Sequence, residues 1–410
     1  MKVYSEYKSS SIDWLDEIPS HWKTAKLKYV ISISNGSDPV LSGDVPVYGT
    51  GENPFKTCGE FKNGPTVLLV RKGTIDSPHW IEGRYWNVDT AFDTKAHKGY
   101  LLRFFWHITN ILDLNPYKST TAVPSMTQTA YENIKLPFPP LVEQVAIAAY
   151  LDDVIGKIYE LIAEKQKQVE YLRSYRTSLI SETVTRGLNP NAPLRPSGID
   201  WLGDIPEHWK TTKLKYVSTV QTGSTPSTSV EKYWDNPIKD WFTPGDFNTF
   251  RLTSSNRKVS EVAFNEGACR IFPKNSILLV GIGATLGKVG ITTVECSANQ
   301  QVNAIAFNNK VYPLFGAYYL SSCNDALNSV SNASTLAILN QDQTKQFPMV
   351  VPPISEQKSI AEFLDEKTEK IDALINELEK QLEELAEYKK AVISEAVTGK
   401  VDVRDWKPQN

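Results

Sequence analysis

Long apolar runs are missing from this chain. No stretch approaches the ~20 apolar residues needed to span a bilayer, and the polar segment from Met1 to Ser11 lacks the apolar core of a secretory signal. Cysteine is scarce: Cys58, Cys269, Cys296 and Cys323 lie far apart, with no close pair for zinc and no disulfide framework. They are expected to be buried or incidental thiols, and the chain is expected in the cytoplasm. The five histidines (His21, His79, His97, His107, His208) include no pair at metal-ligand spacing. An excess of positive charge is absent too, since 44 Lys/Arg against 47 Asp/Glu leave a net −3, which argues at first against a nucleic-acid partner. Distribution softens that objection. Residues 141–187 and 354–400 hold 13 Lys/Arg against 19 Asp/Glu, whereas 1–140 and 188–353 hold 29 against 26.

Catalytic signatures fail on their chemistry. Gly281-Ile282-Gly283-Ala284-Thr285-Leu286-Gly287-Lys288 looks like a phosphate loop, but a Walker loop needs four residues between its first Gly and Gly-Lys, then Ser/Thr for magnesium; Val289 follows instead. Leu286 also breaks the dinucleotide pattern. Asn115-Pro116-Tyr117 lacks one proline of the adenine-methyltransferase tetrapeptide and reads as a turn after a helix. The acidic stretches read as solvated helix faces, not paired catalytic carboxylates.

What is present is a repeat. Ile12 to Val30 (IDWLDEIPSHWKTAKLKYV) and Ile199 to Val217 (IDWLGDIPEHWKTTKLKYV) are identical at 15 of 19 positions, at an offset of 187. A second block, Pro139-Pro140-Leu141-Val142-Glu143-Gln144, matches Pro352-Pro353-Ile354-Ser355-Glu356-Gln357 at an offset of 213 and continues to Ile180-Ser181-Glu182 and Ile393-Ser394-Glu395. Between the blocks lie two regions, roughly 31–138 and 218–351, that differ in length and almost wholly in sequence. His21 and His208, at the same place in both copies, suggest a packing role.

The second block is helical. Leu151, Ile155, Ile158, Ile162, Lys165, Val169, Leu172, Arg176 and Leu179 recur in steps of three and four, as do Leu364, Thr368, Ile371, Ile375, Leu378, Leu382, Leu385, Lys389 and Val392. Each run starts after Pro-Pro, which cannot sit inside a helix. About 42 helical residues give rods of about 60 Å. A homodimeric coiled coil is the simplest use of one such seam. Two matching seams in one chain favour an internal antiparallel pair, in which Lys165 and Arg176 either mark register or snorkel to solvent. The variable regions read as mixed α/β folds around Thr66–Val70 and Ser276–Val280, short apolar runs typical of buried strands. Residues 187–196 have linker composition. The expected fold class is α+β: two mixed α/β domains joined by two long antiparallel coiled-coil helices, with an internal pseudo-twofold repeat.

This doubled order resembles the specificity subunits of type I restriction–modification enzymes over nearly the whole chain. The Leu-Pro-Phe-Pro-Pro-x-x-Glu-Gln stretch and the closing Ala396-Val397-Thr398-Gly399-Lys400 are similar to segments of that family. Arg71–Ile75, Gly283–Lys288 and Asn299-Gln300-Gln301 resemble segments of its recognition domains. The resemblance implies a first target-recognition domain at 1–140, a spacer helix at 141–187, a second domain at 188–353, a second helix at 354–400 and a tail at 401–410. It implies double-stranded DNA as ligand, each domain reading one half of a bipartite site, with the helices setting the gap. The implied partners are two methyltransferase subunits and motor–nuclease subunits, which hold S-adenosylmethionine, ATP and magnesium and methylate adenine at N6. This chain holds no cofactor or metal and has no activity of its own in that scheme.

Half-sites one helical turn apart, ~34–36 Å, suit a rigid two-ended reader, and two similar scaffolds let two copies of one partner dock equivalently. Base reading needs polar side chains on exposed loops. The candidates are Arg71, Lys72, Thr74, Lys118, Ser119, Thr120 and Thr121 in the first domain. In the second they are Arg257, Lys258, Thr285, Lys288, Asn299, Gln300 and Gln301. For each, a plain surface role competes. Trp80, Trp86, Trp234 and Trp241 either stack on DNA or belong to the core. Rival readings are a subunit of a fused or single-chain restriction system, and a coiled-coil scaffold for non-DNA partners.

Overall fold

The computed structural model describes residues 2–119, 123–331 and 337–407. Thr120 and Thr121 lie outside the described residues. The chain divides into two compact units, Met1–Lys167 with Leu378–Asn410, and Gln168–Glu377.

The first unit opens with a hairpin of β1 (Tyr7–Ile12) and β2 (Leu15–Pro19), followed by β3 (Lys23–Lys26), which pairs with β12 (Lys135–Phe138). The central sheet runs β4 (Ile31–Asn35), β11 (Ala91–Ala96), β8 (Thr66–Val70), β9 (His79–Ile81), antiparallel throughout. All five residues of β8 are buried, as expected of a continuous Thr-Val-Leu-Leu-Val run with both faces covered. A smaller mixed sheet orders β6 (Lys56–Cys58), β5 (Val45–Tyr48), β10 (Arg84–Asn87) and β7 (Lys62–Asn63). Helix α1 (Leu102–Thr109) sends Phe104, Phe105 and Ile108 into the core, and α2 (Gln128–Asn133) is capped by the Thr127 side chain.

The second unit repeats the plan. Its hairpin is β13 (Leu194–Pro196) with β14 (Asp204–Pro206), and β15 (Lys210–Lys213) pairs with β24 (Pro348–Val351). The main sheet runs β16 (Ser218–Thr222), β23 (Val302–Phe307), β20 (Ile277–Val280), β21 (Val289–Thr292), β18 (Arg251–Leu252). The smaller sheet is β19 (Lys258–Val259), β17 (Lys239–Phe242), β22 (Ser297–Ala298). Helices α4 (Glu261–Asn265), α5 (Pro313–Ser322), α6 (Asn324–Val330) and α7 (Gln341–Gln346) complete it. Trp241 is 3% exposed in a core cluster, so it belongs to the core, whereas Trp80, Trp86 and Trp234 are half-buried and only pack against the clusters.

Two long helices, α3 (Leu141–Arg186) and α8 (Ile354–Val397), each supply a stretch to both units. Each starts after Pro-Pro and is followed closely by a left-handed glycine, Gly187 (φ 76°) or Gly399 (φ 75°), a conformation other residues adopt at a cost. Within the first unit Lys165 Nζ donates to Gln381 Oε1 (2.5 Å) and Lys389 Nζ to the Tyr159 hydroxyl (3.2 Å). Within the second, Arg176 binds Asp372 through two hydrogen bonds of 2.7 and 3.0 Å. Partners descend along one helix as they ascend along the other, so the pairing is antiparallel and internal. Lys165 and Arg176 therefore bond across the seam.

The seam is less uniform than its heptads suggest. Ile158, Val169, Ile371 and Ile375 are buried between the helices' flanks, whereas Ile162, Leu172, Leu378, Leu382 and Leu385 stay half-exposed. Leu151, Ile155 and Leu364 instead join the cores of the flanking domains. Val392, Ile393 and Val397 do the same in the first unit, as Ile180 and Val184 do in the second. A two-helix pair has too little width to bury a full stripe, so its ends rely on the domains.

Candidate nucleic-acid interface

Both units gather polar loops at the same end of the main sheet. In the first, β4 and β8 finish where β11 begins, with Asn35 opposite Phe92 and Val70 opposite Ala91. In the second, β16 and β20 finish where β23 begins, with Thr222 opposite Asn303 and Val280 opposite Val302. After the central strand each chain turns through a left-handed glycine, Gly73 (φ 93°) or Gly283 (φ 94°). Each of these loops is clasped by a later one. Gly73 N donates to Pro124 O (2.9 Å) and Met126 N to Arg71 O (2.9 Å); Leu339 N donates to Gly281 O (2.8 Å). Beside them, Gly36 and Gly223 run against the neighbouring strand so closely that an added Cβ would lie 2.1 Å from Val88 O or 2.2 Å from Asn299 O.

Several of the sequence candidates meet here. Arg71 donates to Asp89 O (3.3 Å), Thr74 to Thr50 O (3.2 Å), and Lys72 bridges to Ser125, whose hydroxyl lies 2.8 Å from that of Ser119. Lys118 is adjacent and hydrogen-bonded to Asn115, itself in a turn after α1. In the second unit Asn299, Gln300 and Gln301 form a loop braced by Thr225 Oγ1 to Gln300 Oε1 (2.6 Å) and Asn299 Nδ2 to Gln301 Oε1 (2.9 Å). Gly281 N donates to Gln301 O (2.8 Å), which joins this loop to the turn carrying Thr285. Arg257 lies over the rings of Trp234 and Trp241, 5.2 and 5.1 Å from their centroids, and Trp241 Nε1 donates to Ser224 O (3.0 Å).

Two candidates stand apart. Lys258 pairs with Asp240 at 3.2 Å, which neutralises it. Lys288 lines an open groove of about 280 Å³ with Arg176, Ile180, Phe250 and Tyr318 instead of joining the Gln loop. Sequence reasoning missed Ser37, Ser224, Thr225 and Arg270, which border the same sheet ends; Arg270 donates to Thr222 O and to Ser224 Oγ through its side chain and backbone N–H respectively. A signal existed: Gly36-Ser37-x-Pro39 and Gly223-Ser224-x-Pro226 repeat at the offset of 187 already found in the preceding block.

The shared Pro-Pro-x-x-Glu-Gln motif works as a clip. Glu143 accepts from His21 Nε2 (2.9 Å) and from the Tyr4 hydroxyl; Glu356 accepts from His208 Nε2 (2.9 Å) and Trp209 Nε1 (3.2 Å). Tyr4 thus takes the place at Glu143 that Trp209 takes at Glu356, and Trp22 Nε1 is left without a protein partner. The repeated histidines serve this contact. The glutamines reach into the variable domains: Gln144 Oε1 accepts from Leu101 N (2.8 Å) and Gln357 Oε1 from Tyr312 N (2.7 Å).

Farther along α3, Asp152 accepts from Arg103 Nε (2.9 Å) and His107 Nε2 (2.9 Å). His107 is 2% exposed, and burial, opposed by Asp152, holds its imidazole below the ordinary 6.5. Below pH 6.5 the unfolded chain binds a proton there that the folded protein refuses, so stability present above that pH is lost on acidification. We expect the melting temperature of the His107→Gln variant to fall less between pH 7.5 and 5.5 than that of the parent protein. Calorimetry at the two values measures this, and equal falls contradict it.

Other chemistry does not gather. Among the described residues no group of three or more His, Cys, Asp or Glu is placed to hold a metal, and no helix is long and apolar enough to cross a membrane. All four cysteines are free and buried; burial pushes the Cys296 and Cys323 thiols up to about 12, which keeps them protonated and unreactive.

Each unit thus repeats one plan, a Pro-Pro-x-x-Glu-Gln clip at the start of a long helix and a main sheet whose end carries polar loops. The family model for the type I restriction modification DNA specificity domain matches residues 19–171 and 206–384, and the chain belongs to that family. Among relatives, the MjaIX specificity subunit of Methanocaldococcus jannaschii is 33% identical over 188 residues, covering 44% of this chain and 42% of its own. A second specificity subunit from that organism is 27% identical and matched over 62% of its length, so the chain spans less than two-thirds of these two relatives. The EcoBI specificity subunit of Escherichia coli is 23% identical, over 90% of this chain and 80% of its own. Among solved structures, a chain from a type I R-M system resembles it with a TM-score of 0.75 at 16% identity, covering 94% of this chain and 99% of that one. The HsdS subunit of Thermoanaerobacter tengcongensis follows at 0.52 and 16%, covering 94% and 98%.

Proposed function

We propose that this chain is the address-reading subunit of a type I restriction–modification complex. Each unit reads one half of a bipartite duplex site through its sheet-end loops, and the paired helices hold the unread gap. The observation that carries the reading is the recurrence of one loop geometry, Gly36/Arg71/Gly73 and Gly223/Gly281/Gly283, with different polar side chains in each copy. Identical frames with different readers suit an asymmetric site. The polar loops can hydrogen-bond base edges, and phosphate contacts set the register.

In this scheme two methyltransferase subunits dock on the repeated blocks and methylate adenine at N6 with S-adenosylmethionine; motor–nuclease subunits add ATP- and magnesium-dependent cleavage. The chain itself contributes address and assembly. The test is co-expression with a partner methyltransferase, followed by mapping of methylated adenines on a plasmid library. A split motif with a fixed gap is expected. Methylation within one continuous motif overturns the two-headed reading.

A further inference from the structure

Gln144 and Gln357 are each the fourth residue of their long helix, and Asp152 and Asp365 are each the twelfth. The two positions are eight residues apart, about 12 Å along a helix. Both pairs grip the first helix after β11 or β23. The glutamines accept the N-cap N–H of α1 (Leu101) and α5 (Tyr312), neither of which has a side-chain cap of its own. The aspartates take the sixth residue of each: His107 Nε2 at 2.9 Å and the Tyr318 hydroxyl at 3.1 Å. An arginine completes each contact, but from a different element. Arg103 comes from α1 itself, and Arg251, with Nη2 2.7 Å from each oxygen of Asp365, comes from β18.

We infer that Asp152 and Asp365 are positioning residues that set the orientation of each recognition domain on its long helix, so that each governs the fidelity of its own half-site. This rests on the two-headed reading. The helix positions are constant while the donors facing them differ, and that is the pattern of a fixed socket serving interchangeable heads. A two-point grip, N-cap plus carboxylate, fixes α1 and α5 in direction along the long helix, beside the less directional apolar packing of Leu151, Ile155 and Leu364. His107 and Tyr318 are 2% and 1% exposed, so each donor is held in the domain core, while the Asp152 and Asp365 side chains that receive them are 40% and 39% exposed. An aspartate serving stability alone would lower binding to every site equally. One serving orientation makes mismatches tolerable in one half only, because each wrong base pair is normally rejected about 5- to 150-fold through well-aligned contacts.

The experiment uses the full chain with its methyltransferase partner, scoring methylation of a library in which every base of both halves is varied. For Asp152→Asn, discrimination in the half read by the first unit is expected to fall at least about tenfold, a loss of one contact of this size, with the other half unchanged. Asp365→Asn is expected to give the mirror image. Arg103→Met and Tyr318→Phe, which keep the carboxylates, serve if either asparagine variant fails to fold, and are expected to act on the same halves more weakly. Equal change in both halves, or reduced methylation with undiminished discrimination, overturns the inference. A parent protein that recognises no split site defeats the underlying reading instead.

Discussion

Gly223→Ala is expected to erase reading of one half-site while leaving the other intact. The alanine Cβ would lie 2.2 Å from Asn299 O and 2.3 Å from Ala298 O, both backbone atoms that cannot swing aside. The chain must open between the end of β16 and the loop that carries Asn299, Gln300 and Gln301. Ser224 N donates to Ala298 O at 2.8 Å and Thr225 braces Gln300, so the shift passes directly into that loop. Overpacking of this kind costs about 1–3 kcal/mol of stability. Loss of two base contacts costs about 1–3 kcal/mol each, so binding to the full site is expected to weaken by about 30-fold or more. Fluorescence anisotropy with the methyltransferase complex measures this. Gly36→Ala, 2.1 Å from Val88 O, is expected to do the same to the other half. Unchanged affinity for both variants would remove the sheet end from recognition.

Trp209→Ala is expected to have the largest effect on stability. The ring is 1% exposed in the second unit's core, where Ile205, Leu214 and Ile180 surround it in one cluster. Its Nε1 binds Glu356, and the position of a Cβ on Gly187 would be 3.2 Å from the ring, so helix end, clip and domain meet on it. Truncating a buried tryptophan costs about 3–5 kcal/mol, and Glu356 loses a donor as well. Urea denaturation is expected to show the unfolding free energy of the variant's first transition lowered by that amount. A loss under about 1 kcal/mol, the scale of an ordinary surface change, contradicts the keystone role.

The architecture was legible because repetition amplifies weak signals. Fifteen identities in 19 positions marked a duplicated block, and the heptads after Pro-Pro gave both long helices with starts at Leu141 and Ile354. Buried strands announced themselves where Val67–Val70 and Ile277–Val280 are apolar throughout. Helix-pair burial was less legible: heptad spacing does not distinguish Ile158, packed in the seam, from Leu151 and Leu364, which belong to domain cores. Nor does residue type separate exposed lysines. Lys72 lies at the sheet end, while Lys258 is neutralised by Asp240 and Lys288 faces a groove beside α3, differences set by partners far away in sequence. The glutamate and glutamine of the clip were visible as a motif, yet their tasks depend on His21, His208, Leu101 and Tyr312, which only folding brings near.

Exchange of residues 31–138 for the corresponding variable region of another member of the family tests the central claim most directly. The hybrid, expressed with the same methyltransferase, is mapped for methylated adenines across a plasmid library. The expected result is a site with one new half, the other half and the gap unchanged. A site altered in both halves, or in neither, would contradict independent reading by the two units.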